Sequence, residues 1–578
     1  MITINLIIIH EEGIMNYKNK KRNMEKAARG RVVIFAIAFA CTYLFGGDIA
    51  VASSFNLAEQ QFKAEQIHQR QVDSLATRSL QQETAVPFVT EEVTNGTAVF
   101  VRNIVLEGAQ GFYVNLKPIL EKYTNRRLTM VDIRQLVRGL QQEAVREGRL
   151  TGRFFIPEQS VGTGTLQLVY IPGKIRSFAY APGSVKGNWR TAFPSRPGDV
   201  LDLRMLEQGA DQIRRVPGQQ VQLKIQPVKG TDTSDVVLYF TRPKPLAFAF
   251  VVNNQGNDAA GKYRGRLHVT WANPLRLNDV LSVQIGREEP HAGRYQNYRQ
   301  TGWSYTFPYG KYRFGYRESR LQTVRPIAAH LGTYPYRNQA RTQILETERL
   351  WWRNQREKMT VLASVERYRG RNYIGASELR VQRTDRTSLR LGLDYNRYYS
   401  DGQINVLAAV SKGVPWWRDR VVKEYPCGPD IDAWVGNADI SYMRSLKWQG
   451  LPVKYRVLWH GQWAKSRLLG HDEISIGGLY TVRGFSGANV LAGSSGWHCQ
   501  QEWTSKIGRW QPFVGVDIGA VYRKGERTPG HVLMGAAVGV KISGDRCFGT
   551  VTFSTPLIRP HSWTGNRQIV DVELGYRW

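Results

Sequence analysis

Cysteine is scarce in this chain: four in 578 residues, at positions 41, 427, 499 and 547, and far apart. Such spacing excludes a disulfide-stapled scaffold. One bridge among Cys427, Cys499 and Cys547 is the most it allows. Acidic residues are also few, 48 Asp and Glu against 79 Lys and Arg, for a net charge of +31. Several catalytic signatures are missing. There is no G-x-x-x-x-G-K-[ST] phosphate loop and no H-E-x-x-H among the ten histidines. Ser486, in Gly484-Phe485-Ser486-Gly487, lacks the G-x-S-x-G spacing of a nucleophile elbow. No enzymatic activity, cofactor or metal is therefore expected. Nor is there a basic helix or aromatic-basic platform of the kind that binds nucleic acid. The arginines are spread along alternating segments, a pattern suited to lining a water-filled pore or facing anionic lipid headgroups.

What is present begins with a leader. Lys18, Lys20, Lys21, Arg22, Lys26, Arg29 and Arg31 precede an apolar run from Val32 to Phe45, and Ala50-Val51-Ala52 supplies small residues before Ser53. This is the order of a secretory signal peptide, assigned to residues 1–52. The run is too short for a permanent membrane helix. Met15 and Met24 are alternative starts. The leader carries seven basic and four acidic residues, which leaves the mature chain at +28.

Phe55 to Gln82 is Gln-rich, free of Gly and Pro, with a thin apolar line of Leu57, Phe62, Ile67 and Leu75. A helix that is polar nearly all round stands in water or in a polar cavity. Residues 53–83 form this element and 84–97 read as a linker. Two α+β modules follow. The first, 98–173, has strands around Val99–Gly108, Arg153–Pro157 and Leu166–Ile171. Its helix, within Leu128–Glu147, has apolar residues at Ile133, Leu136, Val137, Leu140 and Ala144. The second, 174–244, places strands at Ile175–Tyr180, Val221–Ile225 and Val236–Phe240, with a helix inside Leu201–Val216.

After Pro245 no helical period remains. Leu389, Leu391, Leu393 and Tyr395 alternate with Arg390, Gly392, Asp394 and Asn396; Leu267, Val269 and Trp271 with His268 and Thr270; and Val453, Tyr455, Val457 and Trp459 with Lys454, Arg456 and His460. Short alternating segments rich in Trp and Tyr are the signature of a transmembrane β-barrel. A soluble sandwich alternates too, but 334 residues of uninterrupted strand exceed one. About 16 strands leave room for long loops, since a tilted spanning strand needs about 9–11 residues. The last strand, Val570, Val572, Leu574, Tyr576 and Trp578, ends on an aromatic residue.

One pair of motifs stands apart. Val482-Arg483-Gly484-Phe485 lies in the Gly-rich stretch Ile476–Gly496, and a lone Asp interrupts the later apolar strand Val516-Asp517-Ile518-Gly519. This suggests a loop folded back into the barrel and held by an internal ion pair: a gate, not a catalyst.

These residues resemble the two-partner secretion transporters, the TpsB class of the haemolysin and filamentous-haemagglutinin exporters. The resemblance covers nearly the whole mature chain. Glu147-Gly148-Arg149-Leu150-Thr151 with Phe155-Ile156-Pro157-Glu158-Gln159 looks like the first POTRA domain. Leu203-Arg204-Met205-Leu206-Glu207-Gln208-Gly209 looks like the helix of the second. Asn253-Asn254-Gln255-Gly256, Gly261-Lys262-Tyr263 and Leu277-Asn278-Asp279 look like the first barrel hairpin, and Trp303 to Gly310 like a family strand ending in Pro-x-Gly. The Val-Arg-Gly-Phe loop and its Asp are the most specific match.

The resemblance implies two periplasmic POTRA domains and an outer-membrane barrel. It implies a plug helix in the pore and a latch made by Arg483 and Asp517, with Gly484 allowing the turn and Phe485 packing at the tip. It implies a large secreted exoprotein of the TpsA class as partner, captured by POTRA residues among which Arg134, Arg138, Arg204 and Gln208 are candidates. Outer-membrane lipid and the barrel assembly machinery are further partners, the latter reading Tyr576 and Trp578 as a terminal signal. Arg390 and Arg456 are candidates for the lumen wall. An assembly factor of the same superfamily is the alternative function, although two POTRA domains are few for that class.

Overall fold

The computed structural model describes residues 50–51, 57–76 and 98–578, apart from 113–115, 242–244, 257–260, 289–296, 330–331, 418–428, 488–489, 523–531, 562 and 564–567. The signal segment apart from Ala50–Val51, both alternative start methionines, the linker 84–97 and Cys427 lie outside the described residues.

Sixteen antiparallel strands, each hydrogen-bonded to the next in sequence, close into a barrel. The first (Leu246–Asn253) pairs with the last (Ile569–Arg577), with Ala249 opposite Arg577 and Asn253 opposite Glu573. Closure leaves no open edge, the condition for spanning a bilayer with strands. Alternation decides which side chain meets which medium. Leu391, Leu393, Val514, Val538 and Leu574 are exposed on the outer wall. Their neighbours Arg390, Asp517 and Glu573 turn inward. Trp271, Trp351, Trp448, Trp510 and Trp578 form an exposed aromatic ring at the end where short turns join the strands, the interfacial girdle of a membrane barrel.

Both α+β modules stand before the barrel. In the first, Asn103–Glu107 pairs in parallel with Thr165–Ile171, which pairs antiparallel with Arg153–Phe155. Helix Met130–Arg146 covers this sheet. Thr129 caps it in a reciprocal capping box with Asp132, and Ile133, Leu136, Leu140 and Ala144 are buried. In the second, Lys174–Tyr180 pairs with Thr233–Thr241, which pairs with Gln220–Pro227. Helix Leu203–Arg214 packs on it, capped by Asp202. Two short helices, Lys117–Glu121 and Trp189–Ala192, were not visible in the periodicity, since four or five residues do not complete a periodic pattern.

The quoted motifs have structural work. Gly148 adopts φ +94° after the first module's helix, and its carbonyl accepts a hydrogen bond from Leu203 N at 2.9 Å, joining the modules. Gln159 imitates a strand rung. Its amide oxygen accepts from Gln167 N at 2.7 Å, and its Nε2 donates to Gln167 O at 2.9 Å.

Candidate functional site

Among the described residues, a helix and a loop are inserted in the barrel lumen, and Ala50–Val51 pairs with the loop's returning strand Leu491–Gly493. The first is the polar helix Leu57–Ala76; the rest of the expected 53–83 span lies outside the described residues. Its polar side chains meet the lumen. Gln60 Nε2 donates to Gly470 O at 3.1 Å, Gln71 Nε2 to Trp459 O at 2.7 Å, and Lys63 to Asp472 O at 3.2 Å. Glu65 accepts a bidentate pair from Arg266 on the second barrel strand. Phe62, on the thin apolar line, packs against Tyr298, Leu321, Ala340 and Tyr368 of the inner wall. The all-round polarity thus matches a polar cavity.

The other element is the loop after Ile474–Ile476. Arg483 is 5% exposed and Asp517, on strand Trp510–Tyr522, is wholly buried. Arg483 Nε donates to Asp517 Oδ2 at 2.7 Å and Nη2 to Oδ1 at 2.7 Å, while the backbone N of Arg483 donates to Oδ2 at 2.9 Å. Both carboxylate oxygens are therefore filled, in the fork geometry for which arginine is suited. Arg483 Nη1 also donates to Glu502 Oε2 at 3.1 Å, and Nη2 to Gln501 O at 3.3 Å. Glu502 in turn pairs with Arg456 at 3.0 Å and with Lys541. The sequence pointed to Arg483 and Asp517. It missed Glu502 and Lys541, which sit on neighbouring strands where only register brings them alongside.

Glycines in the wall make room for the loop. Gly535 lies directly across from Asp517, and a side chain there would occupy the space of the Arg483 carbonyl. One at Gly515 would strike the guanidinium. Gly484 itself takes φ +96° against Thr555, a conformation other residues adopt at a cost. Phe485 packs in an apolar cluster. It is buried with Val482, Ile474, Ile476, Leu491, Val521 and Leu533, edge-on to Trp563 at 5.0 Å.

The two inserted elements touch. Gln61 Nε2 donates to Gly487 O at 2.7 Å, four residues past Arg483, and Tyr480 OH lies 3.5 Å from Glu65. Arg390 faces the helix in the lumen, beside Glu59 and Arg70.

The candidate recognition residues separate. Arg134 is half-buried and Arg138 exposed on helix Met130–Arg146. Arg204 and Gln208 are buried, which withdraws them from a surface that meets an incoming chain. Arg204 bonds Glu207 at 2.8 Å and reaches Arg146 O at 3.2 Å. Gln208 accepts from Arg353 at 3.2 Å. Arg353, at a barrel turn, also bonds Asp211 at 2.6 Å and lies 3.4 Å from Glu207, with Lys358 3.7 Å from Asp211. These residues fasten the second module to the barrel. Burial raises Glu207 against the pull of Arg353. Burial acts on Asp211 too, but Arg353 and Lys358 outweigh it and hold that carboxyl below its ordinary value. The Leu277-Asn278-Asp279 turn completes the junction: Asn278 Nδ2 donates to Asn188 O at 2.6 Å and to Thr191 at 2.9 Å. At the other terminus Trp578 stacks on Phe248 at 5.4 Å, and their backbones pair at the seam. Cys499 is buried and Cys547 exposed, both as free thiols.

A family model described as "Haemolysin secretion/activation protein ShlB/FhaC/HecB" matches residues 232–542. The chain belongs to this family. Residues 99–173 match the ShlB-type POTRA domain and 174–227 a second POTRA domain. The chain is 30% identical over 452 residues to the outer membrane transporter CdiB-2 of Burkholderia pseudomallei, covering 76% of each. It is 22% identical to the haemolysin transporter ShlB of Serratia marcescens, over 83% of this chain and 85% of that one. In fold it matches CdiB from Escherichia coli, with a TM-score of 0.80 at 22% identity, covering 92% of this chain and 100% of that one. It is an outer-membrane transporter of two-partner secretion, with its POTRA domains outside the barrel on the periplasmic side, and not an enzyme.

Proposed function

We propose that this transporter exports a large exoprotein of the haemolysin or contact-dependent toxin kind, and that the Arg483 loop and the lumenal helix are its gate. The reading rests on the bond between the two obstructing elements, Gln61 to Gly487. Through this bond, departure of the helix removes a restraint on the loop. The periplasm offers no nucleotide, so folding of the exoprotein outside supplies direction. Among the described residues, Asn103–Glu107 is an edge strand of the first POTRA domain's sheet, suited to pairing with an extended segment; at the other edge, Phe154 N already donates to Gln141. Arg138, exposed, and Arg134, half-buried, on the helix over that sheet are its charged contacts. Trp578 and Tyr576, at the closing strand, are the terminal residues offered to the assembly machinery. In a strain lacking this chain, the exoprotein should remain in the periplasm while other barrel proteins keep their levels. A general fall in barrel proteins would point instead to an assembly factor.

A further inference from the structure

The outer wall of the barrel carries charge where a lipid-facing wall carries little. On the third to seventh barrel strands (Val280–Glu288, Asn297–Tyr309, Tyr312–Ala329, Gly332–Arg353 and Glu357–Ile374), arginines occupy outward positions beside one another. Arg287 stands opposite Arg299, Arg320 opposite Arg341, and Arg341 opposite Arg369. Their outward direction is fixed by parity. Leu345, 60% exposed, shares a face with Arg341, while Thr342 and Ile344 line the lumen.

Cross-strand partners have Cβ atoms about 4.5–5.5 Å apart, and like charges placed so are destabilising. Two carboxylates, Glu318 and Asp385, stand beside these five arginines and offset them only in part. Glu318 accepts from Arg320 Nε and Arg341 Nη2 at 2.8 Å each, and Asp385 lies 3.3 Å from Arg367. Arg369 stands directly opposite Asp385 on the following strand, and its Nη2 donates to the amide oxygen of Gln343 at 3.3 Å. Arg341 Nε is buried without a hydrogen-bond partner.

Depth places the row. Trp351, in the periplasmic aromatic ring, and Arg341 lie on the same face of one strand. The ten residue steps from one to the other rise about 33 Å along the strand. With a strand tilt of about 35–45° this is close to the roughly 25 Å apolar band of such barrels. The arginines therefore stand at the opposite interface, in the outer leaflet. Beneath them, Ile285, Trp303, Tyr316, Leu345 and Val365 present apolar or aromatic surface. Beside Arg287, a hollow of about 360 Å³ opens on the lipid face, walled by Phe250, Val252, Leu267 and Ile285 over Gly265.

We infer that the row Arg287, Arg299, Arg320, Arg341 and Arg369 is a binding site for the phosphorylated headgroup of an outer-leaflet glycolipid, lipopolysaccharide in a bacterial outer membrane, with an acyl chain lying in the hollow. Guanidinium forks match phosphate oxygens, and a bound phosphate relieves the repulsion between facing arginines.

The test uses the purified, folded full chain in detergent. It is offered bis-phosphorylated lipid A, dephosphorylated lipid A, or inorganic phosphate, and bound lipid is counted by native mass spectrometry. The phosphorylated lipid should be retained about tenfold or more over the dephosphorylated form, and R320Q/R341Q/R369Q should lose that preference. The lysine triple variant should keep part of it, and Arg349→Gln, at the periplasmic rim, all of it. Heat-modifiable gel mobility reports folding. Should the glutamine triple variant not fold, R287Q/R299Q serves, with the same expected loss. Equal binding of dephosphorylated lipid, or undiminished preference in the folded variants, overturns the site. Displacement of the lipid by inorganic phosphate overturns the lipid assignment and leaves a simple anion site.

Discussion

Arg483 fills both oxygens of Asp517 with its guanidinium, at 2.7 Å each, and returns its own backbone N–H to one of them at 2.9 Å. The carboxylate thus holds the side chain and the main chain of the loop together. Removing either partner of a buried pair leaves the other uncompensated, at about 3–5 kcal/mol. For Asp517→Asn, a neutral amide replaces an acceptor of three hydrogen bonds. The loop should loosen while the barrel remains closed, since Asp517 supplies no ladder bond through its side chain. Labelling of a cysteine placed at Thr481, 4% exposed in the closed loop, should rise in this variant, with unchanged heat-modifiable mobility.

Gly535→Ala tests the same contact from the wall. The added methyl would coincide with the Arg483 carbonyl, so the loop must shift although every charged group is intact. Labelling at position 481 should rise as in Asp517→Asn. Protection equal to wild type would show that the carbonyl does not rest against that strand.

The helix is held by polar bonds that water can replace. Gln61→Ala with Glu65→Gln removes the bond to Gly487 and the charge facing Arg266. Each hydrogen bond to a charged group contributes about 1.5–3 kcal/mol, so the helix should leave the lumen more often. Planar-bilayer recordings should show higher mean conductance than wild type, approaching that of a chain lacking residues 57–76.

At the POTRA junction, Arg353→Met leaves Glu207 with Arg204 and Asp211 with Lys358 at 3.7 Å but removes the 2.6 Å bond to Asp211, and docking of the second module should weaken by up to about 3–5 kcal/mol. Acid has a definite sign here. Asp211 is depressed, so its contribution is complete above the ordinary value of 3.8 and is lost as pH falls through its lower folded value. Glu207 is raised, so its ionisation opposes docking at neutral pH and protonating it relieves that cost. Docking measured by spin-label distances between the module and the barrel should hold from neutral pH to mild acid and fail only in strong acid.

Much of this was legible in the residues. Alternation assigned faces on strands such as Leu389–Tyr395, and the Arg483–Asp517 pair followed from two motifs. Other parts were not. Glu502 and Lys541 join the Arg483–Asp517 ion-pair cluster through strand register, which a period of two leaves undetermined. Arg204 and Gln208 look like polar surface on an amphipathic helix, and only docking of the domain on Arg353 buries them. The arginines on the outer wall resemble lumenal ones in sequence, because parity separates faces without saying which is wet.

The most direct test of the gate is release of a cognate exoprotein, quantified in the medium for cells carrying wild type or Arg483→Ala at equal outer-membrane levels. The account predicts release by wild type and a sharp fall for the substitution. Equal release by both would contradict it, leaving a transporter whose loop is not its latch.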